Sequence, residues 1–124
     1  MVKRTVLDVG NCAPDHAAIK KMLCANFSVD VLQTHGAQDT LQLLRRQPVD
    51  LVLINRKLDM DYSDGTEILK QIKADPQLQS TPIMLITNYD EHQASAVALG
   101  AELGFGKLSL NAAETQQRLA SLLH

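Results

Sequence analysis

Asn55 ends an apolar run, Val49-Asp50-Leu51-Val52-Leu53-Ile54. The run reads as a buried strand, so Asn55 falls where that strand opens into a loop. In open α/β sheets this edge is where ligands bind and chemistry is done. A carboxylate here serves as a nucleophile or a metal ligand. An amide of the same outline does neither under ordinary conditions. Three other loops share the edge: Gly10-Asn11-Cys12, Thr87-Asn88-Tyr89 and Lys107-Leu108. Thr87 brings a hydroxyl and Lys107 a cation, yet none of these loops brings an acid.

Three nearby acids are candidates to replace the missing carboxylate. Asp8 lies inside the first strand and reaches the edge only if that strand ends early. Otherwise it is a buried or edge acid that needs a hydrogen-bond partner. Asp59 and Asp61 sit in the loop after Asn55, where acids are usually solvated. Arg56 and Lys57 beside Lys107 form either a small cationic patch, able to hold an inorganic anion or an acidic peptide, or simply a solvated loop, which is the blander account. Thr87 is either a surviving site hydroxyl or an ordinary β-branched residue at a strand end. Lys107, with no carboxylate to neutralise, is expected to hydrogen-bond the Asn55 side chain or a loop carbonyl. Cys12 stands at a helix start, where a thiol is readily activated, though a plain small residue is the simpler reading. His16, His35, His92 and His124 lie in different elements without ligand spacing, so no metal site is read.

The elements that must position these residues alternate along the chain. Thr5 to Val9 reads as a strand and Gly10-Asn11 as a turn. Pro14 suits a helix's first turn, with Ala18, Ile19, Met22 and Leu23 facing inward. Phe27 to Leu32 is a second strand. Ala37 to Gln47 is a helix with Ala37, Leu41 and Leu44 inward, its terminal Arg45 and Arg46 favoured by the helix dipole. Asp50 to Ile54 is apolar on both faces, the mark of a parallel strand covered by helices. Thr66 to Ala74 is a helix burying Ile68, Leu69 and Ile72. Ile83 to Ile86 is the fourth strand. Asp90 caps a helix that runs through Ala94, Val97 and Ala98 to Gly100. Glu102 to Gly106 is a short fifth strand, and Asn111 caps a last helix carrying Leu119, Leu122 and Leu123. Strict alternation of five strands with five helices predicts a doubly wound, flavodoxin-like α/β fold. Its parallel sheet takes the order 2-1-3-4-5.

Composition agrees. The 124 residues are 45% hydrophobic and 21% charged, which describes one globular domain, 1-124, with a real core. A net charge of −2 gives no polyanion footprint, and two Tyr, two Phe and no Trp leave few rings to stack on bases. Nucleic acid is therefore not an expected partner. Cys12 and Cys24 lie too far apart along a helix to bridge. No apolar run approaches the roughly 20 residues of a membrane span, and no basic-then-apolar leader opens the chain. The expectation is a reduced, cytoplasmic protein. The stop directly after a helix is also what one domain cut from a longer chain would show.

At the strand ends the chain resembles the receiver domain of bacterial two-component response regulators, over its full length. The resemblance rests on Asp50 to Ile54 before the acceptor position, and on Asp64-Gly65 opening the third helix. It rests equally on Pro82 to Thr87, and on Gly100-Ala101 followed by Lys107. In that family two acids after the first strand hold Mg²⁺, and an aspartate after the third strand attacks a phosphoryl group. The metal and a lysine neutralise the developing charge, while a hydroxyl contacts the phosphoryl oxygens.

Carried over, the resemblance puts Thr87 at the hydroxyl and Lys107 at the lysine. Asn55 falls at the acceptor, where no aspartyl phosphate can form. The acidic pair falls on Gly10-Asn11, or on Asn11-Cys12 if Pro14 sets the register. Neither supplies the hard anionic oxygens Mg²⁺ requires, so neither Mg²⁺ nor any other cofactor is expected. The family's proline after the lysine is Leu108, its coupling aromatic falls on Gly104 beside Phe105, and the loop after the third strand is about two residues longer.

The expected function is a pseudo-receiver of a signalling protein, not an enzyme, that binds protein partners without phosphorylation. By analogy the face is Asp90 to Leu123, where Ala94, Ser95, Ala98, Ala101 and Ser109 permit close approach. Two alternatives stand beside it. One is a phosphorylated receiver whose acid has moved to Asp8, Asp59 or Asp61. The other is a small-ligand or anion-binding flavodoxin-like module, although Gly10-Asn11-Cys12-Ala13-Pro14 lacks a glycine-rich phosphate cradle.

Overall fold

The computed structural model describes residues 3–124. Five strands form one parallel sheet: β1 (Arg4–Val9), β2 (Val29–Thr34), β3 (Leu51–Asn55), β4 (Ile83–Ile86) and β5 (Glu102–Phe105). Their order is β2-β1-β3-β4-β5, the order expected of a flavodoxin-like sheet. The helices are α1 (Ala13–Asn26), α2 (Ala37–Arg46), α3 (Thr66–Ala74), α4 (Asp90–Ala98) and α5 (Ala113–Leu123), with a short 3-10 turn at Lys107–Ser109.

The pleat sends alternate side chains to opposite layers. Leu7, Val9, Val52, Ile54 and Leu85 pack with Leu44, Ile68, Leu69, Ile72 and Ala96, beneath α2, α3 and α4. Val6, Leu51, Leu53, Met84 and Ile86 pack with Ile19, Leu23, Leu119 and Leu123, beneath α1 and α5. Leu51 to Ile54 and Ile83 to Ile86 are buried at every position, which is why both runs are apolar without alternation. Truncating one of them, for example Leu53→Ala, costs about 2–5 kcal/mol.

Several boundaries differ from expectation for local reasons. β2 begins at Val29 because α1 runs to Asn26, with Phe27 as its C-cap donating to Leu23 O at 2.9 Å. The strand extends to Thr34, whose buried hydroxyl meets that of Thr40 at 2.7 Å. Asp50 precedes β3 because its carboxylate accepts the Thr5 N–H at 2.8 Å. Tyr89, not Asp90, is the N-cap of α4. Asn111 does not cap α5; the helix starts after Ala112. The 3-10 turn uses the intervening residues, and Thr115 Oγ1 donates to Ser109 O at 2.7 Å. Ala18 points outward from α1. On α4 the inward residues are Gln93 and Ala96, while Ala94, Val97 and Ala98 are exposed.

Candidate functional site

The carboxyl ends of β1, β3 and β4 and the 3-10 turn after β5 bring the four sequence loops together. Gly10 turns the chain at the end of β1 with φ +77°, a left-handed conformation that favours glycine. A side chain there would collide with Leu58, which folds back from the loop after β3. Asn55, Arg56, Lys57, Thr87, Tyr89 and Lys107 line a cavity of about 250 Å³, and no carboxylate lines it.

Asn55 spans the cavity floor. Its Nδ2 donates to Gly10 O at 3.2 Å and to Lys57 O at 2.6 Å. Only the nitrogen end of the amide can face two carbonyl oxygens, so the chemistry of its surroundings fixes its orientation. The Gly10 carbonyl also accepts the Asp59 N–H at 3.0 Å. One side chain thus ties the loop after β1 to the loop after β3. A carboxylate in this place would have nothing to donate.

Asn11 does not face the cavity. It is fully buried and donates from Nδ2 to Asp8 Oδ1 at 2.5 Å. Its Oδ1 is buried without a partner among the described residues. Asp8 lies within β1, which does not end early, and is fully buried. His16 Nδ1 stands 2.7 Å from its other oxygen. Burial pushes the Asp8 carboxyl above the usual carboxylate range, against the hydrogen bonds from His16 and Asn11 and the nearby charges of His16 and Lys107.

Lys107 reaches neither Asn55 nor a loop carbonyl. Its Nζ pairs with Asp15 Oδ2 at 2.8 Å. That bond holds the Asp15 carboxyl below its ordinary range despite some desolvation. Asp15 is the site residue that sequence reasoning passed over. The signal was an acid directly after Pro14, in a helix first turn that faces the end of β5. Thr87 Oγ1 accepts the Tyr89 N–H at 3.3 Å and lies 3.4 Å from His92 Nδ1.

The remaining candidates scatter. Asp59 stands 3.5 Å from His35 Nδ1, and Asp61 accepts both the N–H and the hydroxyl of its neighbour Ser63. Neither carboxylate lines the cavity. Arg56 and Lys57 do share it with Lys107, but Arg56 lies 4.0 Å from Asp64 and Lys107 is already paired. Cys12 and Cys24 are exposed free thiols.

The donor set does not fit a hard divalent cation. It presents amide N–H groups and ammonium groups where Mg²⁺ takes anionic oxygens. Among the described residues no three His, Cys, Asp or Glu side chains cluster as metal ligands. Likewise, no described helix is long and apolar enough to cross a membrane.

On the α4–β5–α5 side, Ala94, Ser95 and Ala98 are exposed, Ser109 is half-buried and Ala101 is buried. A second cavity of about 320 Å³ runs between α4 and α5 along β5, lined by Asp90, Leu103, Gly104, Leu108 and Arg118. Gly104, where the family's coupling aromatic was expected, is buried and accepts Arg118 Nη1 on its carbonyl at 2.8 Å.

The description "response regulator receiver domain" matches residues 13–106 of the chain. Among curated proteins none matches it. Solved structures do. The signal receiver domain of a DNA-binding response regulator from Colwellia psychrerythraea 34H is 24% identical, with a TM-score of 0.79 over 96% of this chain and 97% of that one. The receiver domain of Francisella response regulator 1452 is 21% identical, with a TM-score of 0.78 over 96% and 95%. The chemotaxis response regulator CheY4 of Vibrio cholerae is 17% identical, with a TM-score of 0.71 over 98% and 97%. At these identities the structural likeness speaks to the fold alone.

Proposed function

The chain belongs to the response regulator receiver domain family, and from that premise we propose that it is a pseudo-receiver that signals by binding a protein partner without accepting a phosphoryl group. Receiver domains work within two-component signalling through partner proteins. The finer reading rests on one observation. The side chain at the acceptor position is an amide whose N–H groups are already spent on Gly10 O and Lys57 O. It has no lone pair suited to attack phosphorus and no charge to recruit a metal.

The other positions support the same reading. Gly10 offers only backbone, Asn11 is turned into the protein toward Asp8, and Lys107 has exchanged a phosphoryl partner for Asp15. Thr87 and Lys107 are retained pocket positions without a reaction to assist. We take residues 1-124 as one receiver-like domain that needs no Mg²⁺, binds no nucleic acid itself and works in the cytoplasm. Its partner face is α4, β5 and α5.

The test is incubation with a small acyl or amido phosphodonor and Mg²⁺, read by intact mass. No mass gain is expected. A stoichiometric gain of one phosphoryl group that maps to Asp8, Asp15, Asp59 or Asp61 would overturn the proposal and establish a receiver with a relocated acid. Asp8 is the least accessible of these, since a donor reaches it only after local opening of β1.

A further inference from the structure

The β4–β5 seam is not a regular ladder. Met84 pairs with Glu102 and Ile86 with Phe105, so three steps on β5 match two on β4. Such a bulge leaves backbone groups that must find other partners. Here they find one side chain. Gln93 projects from α4 into the seam and is 7% exposed. Its Oε1 accepts the Gly104 N–H at 2.9 Å. Its Nε2 donates to Leu85 O at 3.0 Å and to Thr87 O at 3.3 Å, with Phe105 O at 3.5 Å. The position opposite must be glycine, because a Cβ at residue 104 would run into the Leu85 carbonyl oxygen and crowd Gln93 Oε1. Gln93 and Gly104 form a matched pair.

We infer that Gln93 is the positioning residue of the interaction face: its amide bolts α4 to both β4 and β5 and holds α4, β5 and the strand-end Thr87 in one fixed arrangement. The warrant is the hydrogen-bond inventory. A Gln carboxamide has two donors and an acceptor, and here both ends are engaged by buried backbone belonging to two different strands. Rotating or sliding α4 strands the Gly104 N–H and the Leu85 carbonyl together, in a place that water does not reach. No small displacement relieves one without exposing the other, so intermediate positions of α4 are disfavoured along with distant ones. Arg118 completes the clamp from α5 by donating to Gly104 O. Gly104 is therefore gripped by α4 through its N–H and by α5 through its carbonyl. A partner meets a preformed surface and need not select a minor state.

This inference rests on the proposed function only for the use of the face. The latch itself stands or falls separately, since it is read by dynamics and not by phosphodonor labelling. In the wild-type chain, ¹⁵N relaxation dispersion should show no μs–ms exchange in α4 or β5. Amide hydrogen exchange at Gly104 should be as slow as at the β3 interior, although its acceptor is a side chain. Gln93→Met keeps volume and flexibility but donates and accepts nothing comparable. It should speed Gly104 exchange about 10- to 100-fold, the equivalent of one buried hydrogen bond lost. It should also bring dispersion into α4 and β5 while β1, β2 and β3 stay quiet. Exchange broadening of α4 in the wild type, a Gly104 amide as labile as a loop amide, or a Gln93→Met chain as quiet as the wild type would each overturn the inference. The two wild-type measurements decide it even if the variant does not fold.

Discussion

Asn55→Asp places a carboxylate at the acceptor-equivalent position, and the geometry predicts that it destabilises the site. Asn55 Nδ2 makes two bonds, to Gly10 O at 3.2 Å and Lys57 O at 2.6 Å. Each is worth about 0.5–1.5 kcal/mol net, so their loss costs about 1–3 kcal/mol. The new carboxylate also faces two carbonyl oxygens, and of the cavity's cations Lys107 is already paired with Asp15 and Arg56 lies beside Asp64. Because the position is half-buried, solvent screens part of that repulsion, and the total at pH 7 is about 2–3 kcal/mol. For a domain of this length, that lowers Tm by roughly 6–12 °C. The effect depends on pH with a definite sign. Facing carbonyls raises the folded pKa of the introduced carboxyl above its unfolded value of about 3.9. The protonated acid donates one hydrogen bond, so stability is fully present below the unfolded pKa and is lost as pH rises through the folded one. Urea unfolding at pH 4 and pH 7, with and without millimolar Mg²⁺, reads this directly. The penalty should be about twice as large at pH 7, and Mg²⁺ should not remove it. A variant as stable as the parent at pH 7, or one rescued by Mg²⁺ and labelled by a phosphodonor, would refute the reasoning and show that a cation site survives.

Two further outcomes follow from the carboxylates around the site. Lys107→Met should raise the Asp15 carboxyl in a ¹³C NMR titration, because the Lys107 hydrogen bond is the largest influence holding it down. Asp15 with Lys107 present contributes stability above its unfolded pKa and loses it as pH falls through its lower folded value, so the variant should show a flatter acid limb. An unmoved Asp15 would mean the pair does not persist in solution. Asp8 should titrate above Asp15, Asp39, Asp61, Asp64 and Asp75, since burial raises it and hydrogen bonds lower the others. Stability tied to protonated Asp8 is full below 3.8, its ordinary value, and declines as pH rises through the folded pKa. His16→Ala should push Asp8 higher still and steepen that decline. An Asp8 that titrates with the exposed acids contradicts its burial.

The fold was legible because its signals are strong and local. Doubly buried β3 and β4 are apolar throughout, and Pro14, Pro82 and Gly100 punctuate the elements they border. The site was legible by residue but not by partnership. Sequence order located Asn55, Thr87 and Lys107 at one edge, yet it assigned Lys107 to the Asn55 side chain or a loop carbonyl. The Lys107–Asp15 contact joins residues 92 positions apart, and nothing in one sequence says which first-turn side chain faces the end of β5. Asn111 looked like a cap because Asn favours that position. The 3-10 turn competes for the same residues and wins through Thr115 and Gln116. Gln93 was invisible for a different reason. A glutamine in an amphipathic helix reads as solvent-facing, and only the bulge between β4 and β5 creates the buried backbone groups that require it.

On the proposed pseudo-receiver reading, the partners around the cavity account for the loss of metal acids, acceptor and coupling aromatic together. A phosphoryl site is a balance of charges: several carboxylates, one metal and one lysine. Replace the acceptor alone, and the remaining acids still repel one another while the lysine loses its counter-ion. In this chain Asn55, Lys107 and Asp8 each have a local partner. Asn55 satisfies with two N–H groups the carbonyls that a cation would otherwise attract. Asp15 neutralises Lys107 from the helix side. Asp8 is engaged by His16 at one oxygen and by Asn11 at the other, inside the protein and away from the cavity. Among the described residues, Asn11 Oδ1 is the one buried side-chain polar atom left without a partner. Such a set pairs these side chains without a ligand, which is the arrangement the pseudo-receiver proposal calls for. On the far side, Gln93 occupies the seam beside Gly104, where a large side chain at residue 104 has no room to move because it has no room to exist. If the pseudo-receiver proposal and the Gln93 latch both hold, a site balanced without a ligand and a face bolted without a switch follow from one physical condition: neither has a second state of comparable energy to move into.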